Sequence, residues 1–256
     1  MSMLNESARV TAAEIASALD GRLDGFWLYG SVVLDDFRPG WSDIDFLALS
    51  AGPLSEEEAG RLLHLRQRLS AAYPDNPYFR LFEGVVMPRG SFADGTAART
   101  VYWGTSGQRI ADRVTIDPFA RHQLATCGKC VRGTDSRDLF RPPEKEEMLS
   151  AVRRHLDTIR RYAVQTDESL YSCGWLLDIA RCIYTVRTGG VISKTGAGEW
   201  ALANRVFPDE EPLTRALAVR RDPEAHKNDP LTRSWLRGLG PAVQRYADVL
   251  ETELSL

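Results

Sequence analysis

The sequence predicts an α+β protein, with an N-terminal domain of mixed strands and helices followed by a wholly helical one. Three observations carry this. Short apolar runs bounded by glycine alternate with amphipathic stretches in the first half. Pro142-Pro143 then punctuates the chain, and beyond it every periodic stretch has helical spacing. The boundary falls at that dipeptide, giving domains over 1–143 and 144–256. A chain of 256 residues, 43% hydrophobic and 26% charged, has enough apolar material for two modest cores.

Ile15, Leu19 and Leu23 stand at helical spacing and predict a helix over 10–23. The apolar run from Gly25 to Gly30 reads as a buried strand, and Ser31 follows where a helix can begin. Asp35, Asp36, Pro39 and Gly40 end that segment quickly, and Trp41–Leu49 is the second strand. Ser55 caps the next helix, whose first turn is acidic and whose leucines run on to Ala72. Tyr78–Met87 is the third strand, closed by Pro88. Residues 89–118 show no clear period beyond a strand near Thr100–Trp103, and Phe119–Cys127 reads as helix. The helical half divides into 145–164, 170–187, 196–204, 213–220 and 231–250.

Several function classes fall away at once. A net charge of −3 disfavours nucleic-acid binding. No apolar run is long enough for a membrane span, and the N-terminal segment has neither secretory nor transit character, so a cytoplasmic protein is expected. Cys127, Cys130, Cys173 and Cys182 are too unevenly placed for a disulfide scaffold. Cys127 and Cys130 have zinc-knuckle spacing near His122, but no second pair follows. There is no GxGxxG or P-loop, and the isolated His64, His155 and His226 offer no acyl-transfer triad.

The chemistry concentrates in Leu28-Tyr-Gly-Ser31 and Ser42-Asp-Ile-Asp45. Asp43 and Asp45, two apart on a predicted strand, project from one face while Ile44 enters the core. Adjacent carboxylates repel unless a cation lies between them, and hard oxygen ligands suit Mg²⁺. Solvated aspartates at a strand's entrance have the same spacing, and two further features favour the metal. Gly30-Ser31 allows close backbone approach and offers a hydroxyl and backbone N–H groups to a phosphate. Glu83 is a lone carboxylate inside an apolar strand, placed to complete a three-carboxylate cluster from a neighbouring strand.

Gly30-Ser31, a dozen residues, Asp43-x-Asp45 and a later Glu83 together resemble the nucleotidyltransferase fold of the polymerase-β superfamily. The longer block around them resembles the aminoglycoside 3″/9-adenylyltransferases, antibiotic-resistance enzymes that modify streptomycin and spectinomycin. Ala180–Gly189, Ser193-Lys194 and Gly196–Leu202 resemble the C-terminal helical domain of those enzymes. The resemblance implies a small mixed sheet with flanking helices, followed by a C-terminal α-helical bundle.

It also implies Mg²⁺-dependent transfer of AMP from ATP to a hydroxyl of a small molecule. Asp43 and Asp45 would bind Mg²⁺, and Glu83 would be the general base. Gly30, Ser31, Ser42 and Lys194 would contact the nucleotide. Trp103, Asp167, Glu168 and Asp178 are the candidates for the acceptor, an aminoglycoside or aminocyclitol. Transfer to an unrelated acceptor and a non-catalytic ATP-binding sensor are the alternatives; neither a nucleic acid nor a membrane is an expected partner.

Overall fold

A computed structural model describes residues 2–105, 107–135 and 137–256. They divide into two units. The first comprises Met1–Val33 with Asp43–Pro142, and the second Leu34–Ser42 with Pro143–Leu256.

The first unit is a sheet with helices around it. Its elements are α1 (Met3–Ala18), β1 (Leu23–Leu28), β2 (Ile44–Ser50), α2 (Glu56–Leu63), α3 (Leu65–Ala72), β3 (Phe82–Pro88), α4 (Arg89–Asp94), β4 (Thr100–Gly104), β5 (Gly107–Ala111), α5 (Pro118–Thr126) and β6 (Lys129–Gly133). The sheet order is β5-β4-β3-β2-β1-β6, and only β2 and β3 pair in parallel. A parallel pair needs a crossover, which here is α2 and α3. The result is the small mixed sheet with flanking helices that the resemblance implies.

The departures from sequence expectation have local causes. The first helix stops at Ala18 rather than Leu23 because Asp20 and Gly21 both take positive φ, and Leu23 passes into β1. The helix of 55–72 breaks at His64 into two. Its start is as read: Ser55 and Glu58 form a reciprocal capping box. Strand β2 begins only at Ile44, so Asp43 immediately precedes it. The strand β6, Lys-Cys-Val-Arg-Gly, is an edge strand too polar to announce itself.

Apolar side chains from β1, β2, β3 and α5 form one core: Trp27, Leu47, Leu49, Val85, Met87 and Leu124, with Phe140 edge-on to Trp27. Gly84 is required at its place in β3. A Cβ there would lie 2.0 Å from the Phe46 carbonyl oxygen, a backbone atom that cannot yield without opening the β2–β3 pair.

The second unit is helical: α6 (Lys145–Tyr162), α7 (Tyr171–Thr188), α8 (Lys194–Ala203), α9 (Glu211–Arg221), α10 (Pro223–His226), α11 (Pro230–Arg237) and α12 (Gly240–Glu253). The segment Leu34–Ser42, which in sequence joins Ser31 to Asp43, belongs to this unit. Asp36 anchors it. Its carboxylate accepts from the Arg220 guanidinium at 2.7 Å and from the backbone N–H and hydroxyl of Thr195, and both ion-pair side chains are almost fully buried. Among the described residues no helix is long and apolar enough to cross a membrane.

Burial opposes ionisation of Asp36, but Thr195 and Arg220 outweigh it and hold the carboxyl below its usual value. The pair therefore contributes stability above the unfolded-state value, near 4, and loses it as pH falls through the lower folded-state value. Arg220→Ala leaves a buried carboxylate without its cation. It should lower the unfolding free energy by about 3–5 kcal/mol, measured by denaturant titration of the full chain at neutral pH.

Candidate active site

At the end of β1 the chain reaches Tyr29, whose N–H donates to the Asp45 carbonyl at 3.1 Å, and then Gly30 at φ +72°. The Gly30 N–H donates to Gln123 Oε1 at 2.8 Å, which ties this corner to α5. A Cβ on Gly30 would lie 1.9 Å from Asp45 Oδ2, so the carboxylate lies directly over the glycine. Residues 30–32 form a single 3₁₀ turn, in place of the helix expected from Ser31. The Ser31 hydroxyl is directed at the Asp43 carbonyl at 3.5 Å.

Asp43 and Asp45 are half-buried and flank the buried Ile44, the alternation of a strand with one face inward. In the parallel register Asp45 stands opposite Glu83, so the two acids share a face on adjacent strands. Glu83 accepts from the Tyr102 hydroxyl at 2.8 Å on one oxygen and from the Thr105 hydroxyl at 2.9 Å on the other. Arg66 on α3 donates to the carbonyls of Phe82 and Gly104, both at 2.9 Å. Burial lowers the Arg66 pKa, and the charges of Glu83 and Asp43 act against that.

Two phenols feel the same field. Burial pushes the Tyr29 hydroxyl well above its ordinary value, and the Asp45 and Glu83 charges push it further. Tyr102 rises to about 12 through burial, its hydrogen bond to Glu83 and the Glu83 charge. Both stay protonated at neutral pH and remain donors. Among the described residues no group of three or more His, Cys, Asp or Glu side chains is gathered closely enough to hold a metal ion. The donor set nevertheless fits Mg²⁺: Asp43 and Asp45 offer only hard oxygens, and one or two carboxylates suffice when substrate phosphates complete the shell. The Cβ-free space above Gly30 belongs to the same arrangement.

In the second unit Lys194 opens α8, just after the Ser193 N-cap. Its ammonium lies 2.9 Å from Asp178, which also pairs with Arg181 at 2.8 Å. Burial would raise the Asp178 carboxyl; Lys194 and Arg181 hold it instead at about 2. Asp167 accepts from the Ser169 N–H and the Ser172 hydroxyl, a turn that leads into α7. Glu168 pairs with Arg233 and Arg237. The Ser42 hydroxyl accepts from the Arg38 N–H at 3.0 Å and holds its own loop.

Trp103 is a correction. It is 0% exposed in the sheet core against Phe46, with its indole N–H donated to the Leu62 carbonyl, and has no surface left for an acceptor. Its neighbour Tyr102 takes the opposite face of β4, toward Glu83. Sequence reasoning missed Tyr102, Thr105 and Arg66, because their roles depend on which strands pair. Tyr29, adjoining Gly30, carried a signal by position alone.

Two family models match successive stretches of the chain. Residues 11–84 match the nucleotidyltransferase domain, and residues 138–236 match the C-terminal domain of aminoglycoside adenylyltransferase. The fold is also similar to that of spectinomycin adenyltransferase AAD(9) from Enterococcus faecialis, solved with ATP and spectinomycin. The TM-score is 0.69 at 17% identity, over 95% of this chain and 98% of that one. The acid-bearing strands lie in or at the end of the first match, and a helical domain of matching type follows. The chain thus carries a nucleotidyltransferase domain followed by a domain of the kind that ends aminoglycoside adenylyltransferases, and is an adenylyltransferase.

Proposed function

We propose that this enzyme transfers AMP from ATP to a hydroxyl of an aminoglycoside or aminocyclitol of the streptomycin and spectinomycin type. The observation that carries the reading is the register of β2 and β3, which sets Asp45 beside Glu83 at the end of the Gly30 turn. Both domain matches and the ATP- and spectinomycin-bound neighbour support the substrate classes.

Asp43 and Asp45 are the residues to hold Mg²⁺. The ion, when bound, supplies positive charge against the triphosphate and the charge that develops on it. Ser31 and the backbone of the Gly30 turn line the approach of the phosphates. Glu83 takes the proton from the acceptor hydroxyl as its oxygen bonds to the α-phosphorus and pyrophosphate leaves. Lys194, a point charge on a flexible stem, is the candidate handle for the triphosphate, and would exchange Asp178 for phosphate oxygens. The acceptor is a polycation, and Asp167, Glu168 and Asp178 are the candidate carboxylates for its ammonium groups.

Asp43→Asn or Asp45→Asn should abolish Mg²⁺-dependent ATP binding by calorimetry and leave the fold intact, since removing one of two neighbouring charges relieves repulsion. Normal turnover in either variant would remove the metal assignment. Glu83→Gln should bind ATP as the parent does while turnover falls by roughly 10²–10⁴; a collapse of ATP affinity would make Glu83 a metal ligand instead. Titrating streptomycin and spectinomycin into ATP-loaded Glu83→Gln reads acceptor binding without turnover. Binding of either drug that weakens steeply with salt is the expected result. No heat from either, beside normal ATP binding, discards the antibiotic and leaves the adenylyltransferase standing.

A further inference from the structure

Glu83 is held on both oxygens, and both holders come from one hairpin. Tyr102 lies on β4, and Thr105 in the turn that leads to β5. The Tyr102 ring is itself fixed, with the Arg109 guanidinium 4.2 Å over its centre from the register-paired position on β5. Arg66 bonds to the carbonyls of Phe82 and Gly104, the residues just before Glu83 and Thr105. It therefore pins β3 and β4 together at the point where the hydroxyls meet the carboxylate. A carboxylate has about four acceptor sites, so two donors fix its plane and leave lone pairs for a proton.

We propose that Tyr102 and Thr105 are positioning residues for adenylyl transfer, orienting the Glu83 carboxylate toward the acceptor hydroxyl. The proposal rests on the reading of Glu83 as the base. In the step they serve, the acceptor O–H gives its proton to Glu83. Its oxygen bonds to the α-phosphorus, and the bond from that phosphorus to the bridging oxygen breaks to release pyrophosphate. Neither hydroxyl takes part in this exchange. They restrict the base to a productive geometry, where small displacements are costly in rate.

The test uses Tyr102→Phe, Thr105→Val and Thr105→Ser in the full chain, each also combined with Glu83→Gln. Pyrophosphate release is followed with ATP, Mg²⁺ and spectinomycin or streptomycin. Tyr102→Phe and Thr105→Val should each lower kcat by about tenfold to a hundredfold, the effect of losing a hydrogen bond to a charged group. KM for ATP should stay within about twofold in both, and Thr105→Ser, which keeps the hydroxyl, should match the parent. On the Glu83→Gln background none should lower the residual rate further. The same loss repeated on that background, or a raised KM with unchanged kcat, overturns the proposal. Parent-like turnover by Glu83→Gln alone refutes the base reading and takes this proposal with it.

A second readout needs no acceptor. The carboxyl ¹³C resonance of Glu83, assigned by its loss in Glu83→Gln, should move in Tyr102→Phe and Thr105→Val and stay put in Thr105→Ser. A resonance unmoved in both hydroxyl-deleting variants overturns the proposal.

Discussion

The pairing of Asp45 with Glu83 across β2 and β3 is the constraint around which the first unit is arranged. Like charges directly opposite each other on neighbouring strands are destabilising. A sheet built only for stability would not place two acids there. The surrounding structure answers that cost locally: the Tyr102 and Thr105 hydroxyls donate to Glu83, and the Arg66 charge lies nearby. Gly84 lets the two strands approach closely one residue further on, and Gly30 leaves room for the Asp45 carboxylate.

That arrangement makes the β4–β5 hairpin more than a sheet extension. Its inward face supplies Trp103 to the core, and its other face supplies Tyr102 to Glu83. The strand's alternation thus separates packing from chemistry at adjacent residues. The second unit shows a comparable economy of charge. Asp36 is buried with Arg220 and Thr195, and Asp178 is shared between Lys194 and Arg181. One pair anchors a segment; the other holds the first lysine of α8.

Much of this was legible in the sequence where local rules decide. The alternation through Asp43, Ile44 and Asp45, the apolar β1, the Ser55 capping box and the helical half after Pro142-Pro143 follow from periodicity and caps. The acid in an apolar strand pointed to Glu83. What was not legible depends on strand order. Trp103 is a candidate for the acceptor by the family resemblance alone, yet β3–β4 pairing turns it into the core and turns Tyr102 to the opposite face. Thr105 and Arg66 lie 22 and 17 residues from Glu83 in sequence, and nothing short of the sheet brings them together. The edge strand β6 escaped because half its side chains face solvent and carry charge.

In the proposed reaction the acids divide their labour, with Asp43 and Asp45 for the metal and Glu83 for the proton. Crystals grown with Mn²⁺ in place of Mg²⁺ and a non-hydrolysable ATP analogue test it most directly, because manganese identifies itself by anomalous scattering. An anomalous peak is expected within ligand distance of Asp43 and Asp45, with Glu83 still bound to Tyr102 and Thr105 and outside the coordination shell. A peak ligated by Glu83, or one remote from both aspartates, would contradict it.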